Sequence, residues 1–146
     1  MRQIKFRGRD LKTGDWRYGY VYQIELESGL ATMILTTDNN HADHSIEPKY
    51  HLAFTLWVDL FPVDPETVGQ STGIEDKNGR EIYEGDIIKT NQYGMVWVAW
   101  NKERCQFELR NFDHGFLATL WDSYSGIYEV VGNVCLKPEL QNKAAD

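Results

Sequence analysis

The stretch TGIEDKNGREIYEGDIIK, Thr72–Lys89, crowds Asp76, Lys77, Glu81, Tyr83, Glu84 and Asp86 into a short span of chain. Carboxylates, an amine and a phenol in proximity are the groups that general acid–base catalysis uses. Two other clusters carry chemistry of their own. His41, Asp43, His44, Glu47 and His51 offer the nitrogen and oxygen donors that divalent metals take. Asp113 beside His114 has the composition of an acid/base pair.

Spacing argues against chemistry in each case. Asp76-Lys77-Asn78-Gly79 has the residues of a tight turn, because Asn tolerates positive φ and Gly adopts it without steric cost. Ile82 and Tyr83 then enter a core, Gly85 and Asp86 reverse the chain again, and Ile87 and Ile88 begin a strand. Asp86 holds that second turn by accepting backbone N–H bonds. Asp76, Asn78, Gly79, Gly85 and Asp86 therefore read as a structural turn motif. His41, His44 and His51 match no compact ligand spacing and lie in or beside a polar stretch, so no metal and no cofactor are expected. Adjacent residues on a strand face opposite ways, which separates Asp113 from His114. Ser71 and Thr72 precede a glycine without the strand-turn-helix setting of a nucleophile, and no phosphate-cradling loop or metalloprotease helix is present. The expectation is a protein that is not an enzyme.

Composition bounds the rest. The 146 residues are 42% hydrophobic and 13% aromatic, enough for one domain or two small lobes with real cores. Fifteen Lys plus Arg stand against 22 Asp plus Glu, a net charge of -7, which disfavours phosphate backbones and anionic membranes. Arg2, Lys5, Arg7, Arg9, Lys12 and Arg17 make the opening locally basic, leaving nucleic acid as the alternative partner. No long apolar run suits a bilayer, and the charged N-terminus lacks the apolar core of a signal peptide; a cytoplasmic location is expected. Cys105 and Cys135 lack C-x-x-C neighbours and read as buried free thiols within strands.

The elements are almost all β. Ile4 and Phe6 alternate with Lys5 and Arg7, putting apolar groups on one face and cations on a solvated one. With residues 16–24 and 31–36 this predicts an N-terminal meander, followed by a variable polar loop over 37–49. Residues 51–60 fit a strand or a short helix equally. Pro62 and Pro65 break regular structure and join the lobes, 1–64 and 65–146, which together form one compact unit. Residues 95–100, apolar on both faces, predict a central strand. Cys105, Phe107 and Leu109 alternate with Gln106, Glu108 and Arg110 as a half-buried strand would. Strands over 116–121 and 128–134 and a short helical turn after Pro138 complete the chain. The expected class is mainly β, a small N-terminal meander joined to a strongly bent SH3-like barrel.

Three ordered segments carry a family resemblance: KFRGRDLKTGDWRYGY from Lys5, PETVGQSTGIEDKNGREIYEGDII from Pro65 and YEVVGNVCLKPEL from Tyr128. They resemble the opening, central signature and close of the YopX family. The resemblance implies a β-rich fold and a bacteriophage or prophage origin in a bacterial host, and it brings no catalytic residue or ligand. The expected action is therefore binding, to a protein partner or to further copies in a homo-oligomer. Trp16, Tyr18, Tyr20, Trp97 and Trp100 are the candidate interface aromatics, since aromatics bury much area at little rotamer cost.

Overall fold

A computed structural model describes residues 4–36, 50–51, 57–113, 115–121 and 126–136. The 37–49 loop, with His41 and His44, lies outside them, as do residues 52–56, His114 and the tail from 137. The described residues contain strands and 3-10 turns and no α-helix, and the chain divides into two compact units meeting at Val68 and Gly69. No helix among these residues is long and apolar enough to cross a membrane.

In the first unit, β1 (Phe6–Asp10), β2 (Trp16–Leu26) and β3 (Gly29–Thr36) form the antiparallel meander that alternation predicts, with Phe6 opposite Gly19 and Leu26 opposite Gly29. A long strand, β5 (Trp57–Glu75), then pairs with β3 and also with β1, closing four strands into a barrel. The two-residue β4 (Tyr50–His51) pairs with the start of β5, opposite Val58 and Trp57. Pro62 and Pro65 lie inside β5 and do not interrupt it. A proline removes only a donor, and the Pro62 carbonyl still accepts a bond from the Leu11 N–H at 2.9 Å.

Ile34 and Val63 are buried at the centre of this barrel. Between β2 and β3 backbone approaches backbone closely. Gly19 sits so near β3 that a Cβ would overlap the Leu35 carbonyl oxygen. The cationic face expected on β1 is not solvated: Arg7 is buried, with its guanidinium 4.5 Å from the Trp16 ring centroid, whereas the apolar Ile4 is exposed. Alternation assigns faces but does not say which face a closed barrel covers.

In the second unit, the end of β5 pairs with β6 (Glu81–Tyr83). There follow β7 (Asp86–Thr90), β8 (Gly94–Asn101), β9 (Gln106–Asn111), β10 (Gly115–Thr119), β11 (Glu129–Asn133) and a 3-10 turn, Val134–Leu136. The sheet order is β10-β9-β8-β7-β11, four consecutive strands with the fifth returning to the first of them, as in SH3-like barrels. β8 occupies the centre of this order as expected, with Val96, Val98 and Ala99 buried and Met95 and Trp100 exposed. Ile82, Ile88, Val96, Val98, Phe107, Leu109, Leu120, Tyr128 and Val130 form one core cluster.

Two expectations for β9 fail. Glu108 is fully buried, although alternation places it on the polar face. Its carboxylate accepts hydrogen bonds from Asn101 Nδ2 at 2.8 Å and Arg110 Nη2 at 3.3 Å, with Arg104 Nη1 at 3.5 Å. The Arg104 guanidinium lies over Phe116 and that of Arg110 over Trp97. Long side chains from neighbouring positions thus bury a charge and pair it at once. Cys105 precedes β9 in an exposed turn at φ 51°, and Cys135 is half-buried in the 3-10 turn, so neither is the buried strand thiol expected.

Gly19→Ala tests the close approach of β2 to β3. The displaced backbone has no flexible side chain to yield, so the substitution is expected to destabilise the protein by about 2 kcal/mol or more, read as a lower denaturant midpoint with unchanged slope.

Candidate functional site

The residues Thr72–Lys89 come together as a lock on the second unit. Asp76 is buried, and its carboxylate accepts three backbone N–H bonds: Oδ1 from Asn78 at 2.8 Å and Arg80 at 3.0 Å, Oδ2 from Val130 at 3.0 Å. The first two bonds shape the turn, which the Gly79 N–H closes on the Asp76 carbonyl at 2.9 Å with Gly79 at φ 77°. The third reaches across to β11. A backbone bond from Lys77 N–H to the Tyr128 carbonyl, 3.0 Å, fastens the same two segments. The Lys77–Glu129 ion pair at 2.7 Å joins them as well, but both side chains are well exposed and such pairs contribute little.

The neighbouring polar groups are consumed in the same way. Asp86 Oδ2 accepts the Tyr83 N–H at 2.9 Å. Gly85, at φ 84°, donates to the Val98 carbonyl and accepts from Val134 N–H, tying the turn between β6 and β7 to β8 and to the 3-10 turn. Ser71 Oγ bonds Glu81 Oε1 at 2.6 Å and Thr72 Oγ1 bonds the Ile82 carbonyl at 2.8 Å, across the irregular pairing of β5 with β6. Tyr83 Oη donates to Glu81 Oε2 at 2.7 Å. The apparent catalytic cluster is a set of hydrogen bonds around the buried Ile82, Ile87 and Ile88.

Asp10 repeats the device in the first unit. Oδ1 accepts N–H bonds from Lys12 at 2.8 Å and Thr13 at 3.3 Å, and Oδ2 pairs with Arg17 Nε at 2.9 Å. Burial opposes ionisation of both carboxyls, yet the bonds outweigh it. Asp10 is held below the ordinary 3.8 by Lys12, Arg17 and Thr13, and Asp76 by Val130, Arg80 and Asn78.

Arg9 and Arg17 of the basic opening are likewise committed. Arg9 donates from Nε and Nη2 to the Gly14 carbonyl, and Arg17 both pairs with Asp10 and lies 3.9 Å from the Phe61 ring centroid. Among the described residues no three His, Cys, Asp or Glu side chains group as a metal site requires. Asp113 is exposed.

The aromatic candidates part company. Trp16 is half-buried beneath Arg7, and Trp97 is half-buried beside Arg110. Trp100 is exposed and packs edge-on against Phe107 at 4.9 Å. Tyr18 and Tyr20 alternate with Tyr22 along β2 and share a face; they are 43%, 44% and 60% exposed in that order. Leu26 and Leu30, at the β2–β3 connection, are exposed too. Tyr22, Leu26 and Leu30 were not singled out from sequence, although the period-two alternation of Tyr18, Tyr20 and Tyr22 was readable there.

A lowered folded pKa means stability that is present above the ordinary carboxyl range and is lost as pH falls through the lowered value. Denaturant midpoints should therefore hold between pH 7 and pH 5 and drop below pH 4. In Asp76→Asn one amide edge presents N–H to the Val130 N–H, so we expect a loss of roughly 2 kcal/mol at pH 7 and a shallower acid decline.

The family model described as YopX protein matches residues 5–141. No curated protein matches the chain. Among solved structures, the crystal structure of protein EF1440 from Enterococcus faecalis is similar at 22% identity, over 97% of this chain and 99% of that one, with a TM-score of 0.49. The family match spans nearly the whole sequence and includes all three of the segments in which the resemblance was read, and on that ground the chain belongs to the YopX family.

Proposed function

We propose that this protein works without catalysis, by docking a protein partner or further copies of itself through the tyrosine face of β2. The observation that carries the reading is the run Tyr18, Tyr20 and Tyr22 on one face, extended by Leu26, all exposed. On β3, Leu35 and Met33 stand opposite Tyr20 and Tyr22 and continue the apolar surface. Contiguous apolar surface of this kind marks interaction sites, and tyrosine combines a large apolar body with a hydroxyl suited to a wet rim. The hydrogen-bonded carboxylates of the signature stretch support the absence of catalysis from this reading, because their lone pairs already serve the fold. A bacteriophage or prophage origin is what the family resemblance implies, and the absence of a long apolar run in the sequence supports the cytoplasm of a bacterial host as the setting.

A nucleic-acid-associated module built on the basic N-terminal strand and exposed aromatics is the second reading. It is weakened by the internal partners of Arg7, Arg9 and Arg17 and by the net charge of -7.

Light scattering on the purified protein, and affinity capture from phage-bearing cells, test the proposal. We expect a mass above the monomer, or a retained partner, and we expect both to be lost in Tyr20→Ser/Tyr22→Ser. That variant should melt within about 2 °C of the wild type, since exposed positions contribute little to stability. A strict monomer at high concentration that also captures no partner contradicts the proposal, as does a tyrosine variant that assembles unchanged.

A further inference from the structure

The second unit has a concavity where its sheet does not close. β10 and β11 are the two edges of the order β10-β9-β8-β7-β11, and among the described residues they do not pair with each other. A cavity of about 170 Å³ opens beside this gap. Its floor is core, Leu109 and Tyr128, and Ala118 of β10 forms one side. Tyr93, Trp121 and Ile127 stand at the rim, all exposed, Trp121 at 58%.

The chemistry of the lining is selective. No charged residue contributes to it. Its two threonine hydroxyls are engaged within the fold: Thr90 Oγ1 accepts the Tyr93 N–H at 2.9 Å, and Thr119 Oγ1 accepts Gln106 Nε2 at 3.2 Å. A ligand therefore finds mostly apolar and aromatic walls with the uncharged Gln92 amide among them, which suits a neutral ring. Size narrows the choice further. An apolar cavity of roughly 150 Å³ accommodates one benzene ring, so this one is of a size to receive a single ring-bearing group.

We propose that this pocket receives one apolar ring, prolyl or aromatic, carried on an extended peptide segment of a protein partner. The peptide is the source because the exposed Trp121, Tyr93 and Ile127 surround the opening with apolar surface that a lone ring leaves wet and that flanking residues of a peptide cover. The site lies in the second unit and shares no residue with the tyrosine face of β2, so it stands independently of the function proposed above.

Amide chemical-shift titration of the full chain tests it, with capped Gly-X-Gly peptides in which X is Pro, Phe, Trp or Ala, and with free indole as a separate arm. Saturable shifts at Thr90, Tyr93, Leu109 and Ile127 are expected with at least one ring-bearing peptide and not with the Ala peptide, at millimolar affinity. Trp121→Ala, at an exposed position, should weaken that binding about tenfold without altering the melting temperature. Ala118→Leu, which fills the cavity, should abolish it while the shifts of other residues keep the native pattern. No saturable shift with any peptide, equal shifts with the Ala peptide, or binding unchanged in Trp121→Ala would overturn the site. Indole binding as tightly as the best peptide would overturn the peptide as its source.

Discussion

One buried carboxylate organises the second unit. Asp76 satisfies two N–H groups of its own turn and a third on β11, a strand separated from it by most of the unit's sequence. A backbone donor buried without a partner costs a large fraction of a small domain's stability. Asp76 removes three such costs at one point and in doing so sets where β11 lies. β6 is thereby held where Ile82 joins the core cluster, and the Gly85 turn is positioned to bond both Val98 and Val134. The polar residues of Thr72–Lys89 look like chemistry because folding demands the same properties that catalysis does, ionised oxygens in defined places.

The first unit reaches the same solution with different residues. Asp10 caps the turn between β1 and β2 as Asp76 caps the turn between β5 and β6, and in both a glycine N–H closes the turn on the aspartate carbonyl. The long-range partner differs, an arginine side chain in one and a backbone amide in the other. With these carboxylates and arginines engaged inside the fold, the exposed aromatic and apolar groups are the part of the surface best suited to a partner. Function is then sought in what the fold leaves exposed, the tyrosine face of β2 and the ring-sized pocket of the second unit.

Much of this was legible in the sequence, and the failures have common causes. Turn chemistry at Asp76–Gly79 and around Gly85 is local, so residue type alone discloses it. The SH3-like course of the second unit follows from short strands and the turns between them. Three features left no sign in the alternation of apolar and polar residues. The closure of the first barrel by β5 is one. The burial of Arg7 is another, because it requires Trp16 from the neighbouring strand. The burial of Glu108 under Arg104 and Arg110 is the third, since a period of two assigns it to the polar face whatever covers that face. Cys105 misled for a smaller reason: it continues the alternation of β9 by one residue into a turn at positive φ.

Native-state hydrogen exchange at the Val130 and Tyr83 amides tests the folding role of the signature stretch most directly, because both donate to its carboxylates. The account predicts that these two amides exchange only with the global unfolding of the protein, at the free energy that denaturant melts give, and that Val130 loses this protection in Asp76→Asn. Exchange of either amide in the intact protein through low-energy local opening, at rates like those of exposed loops, would contradict it.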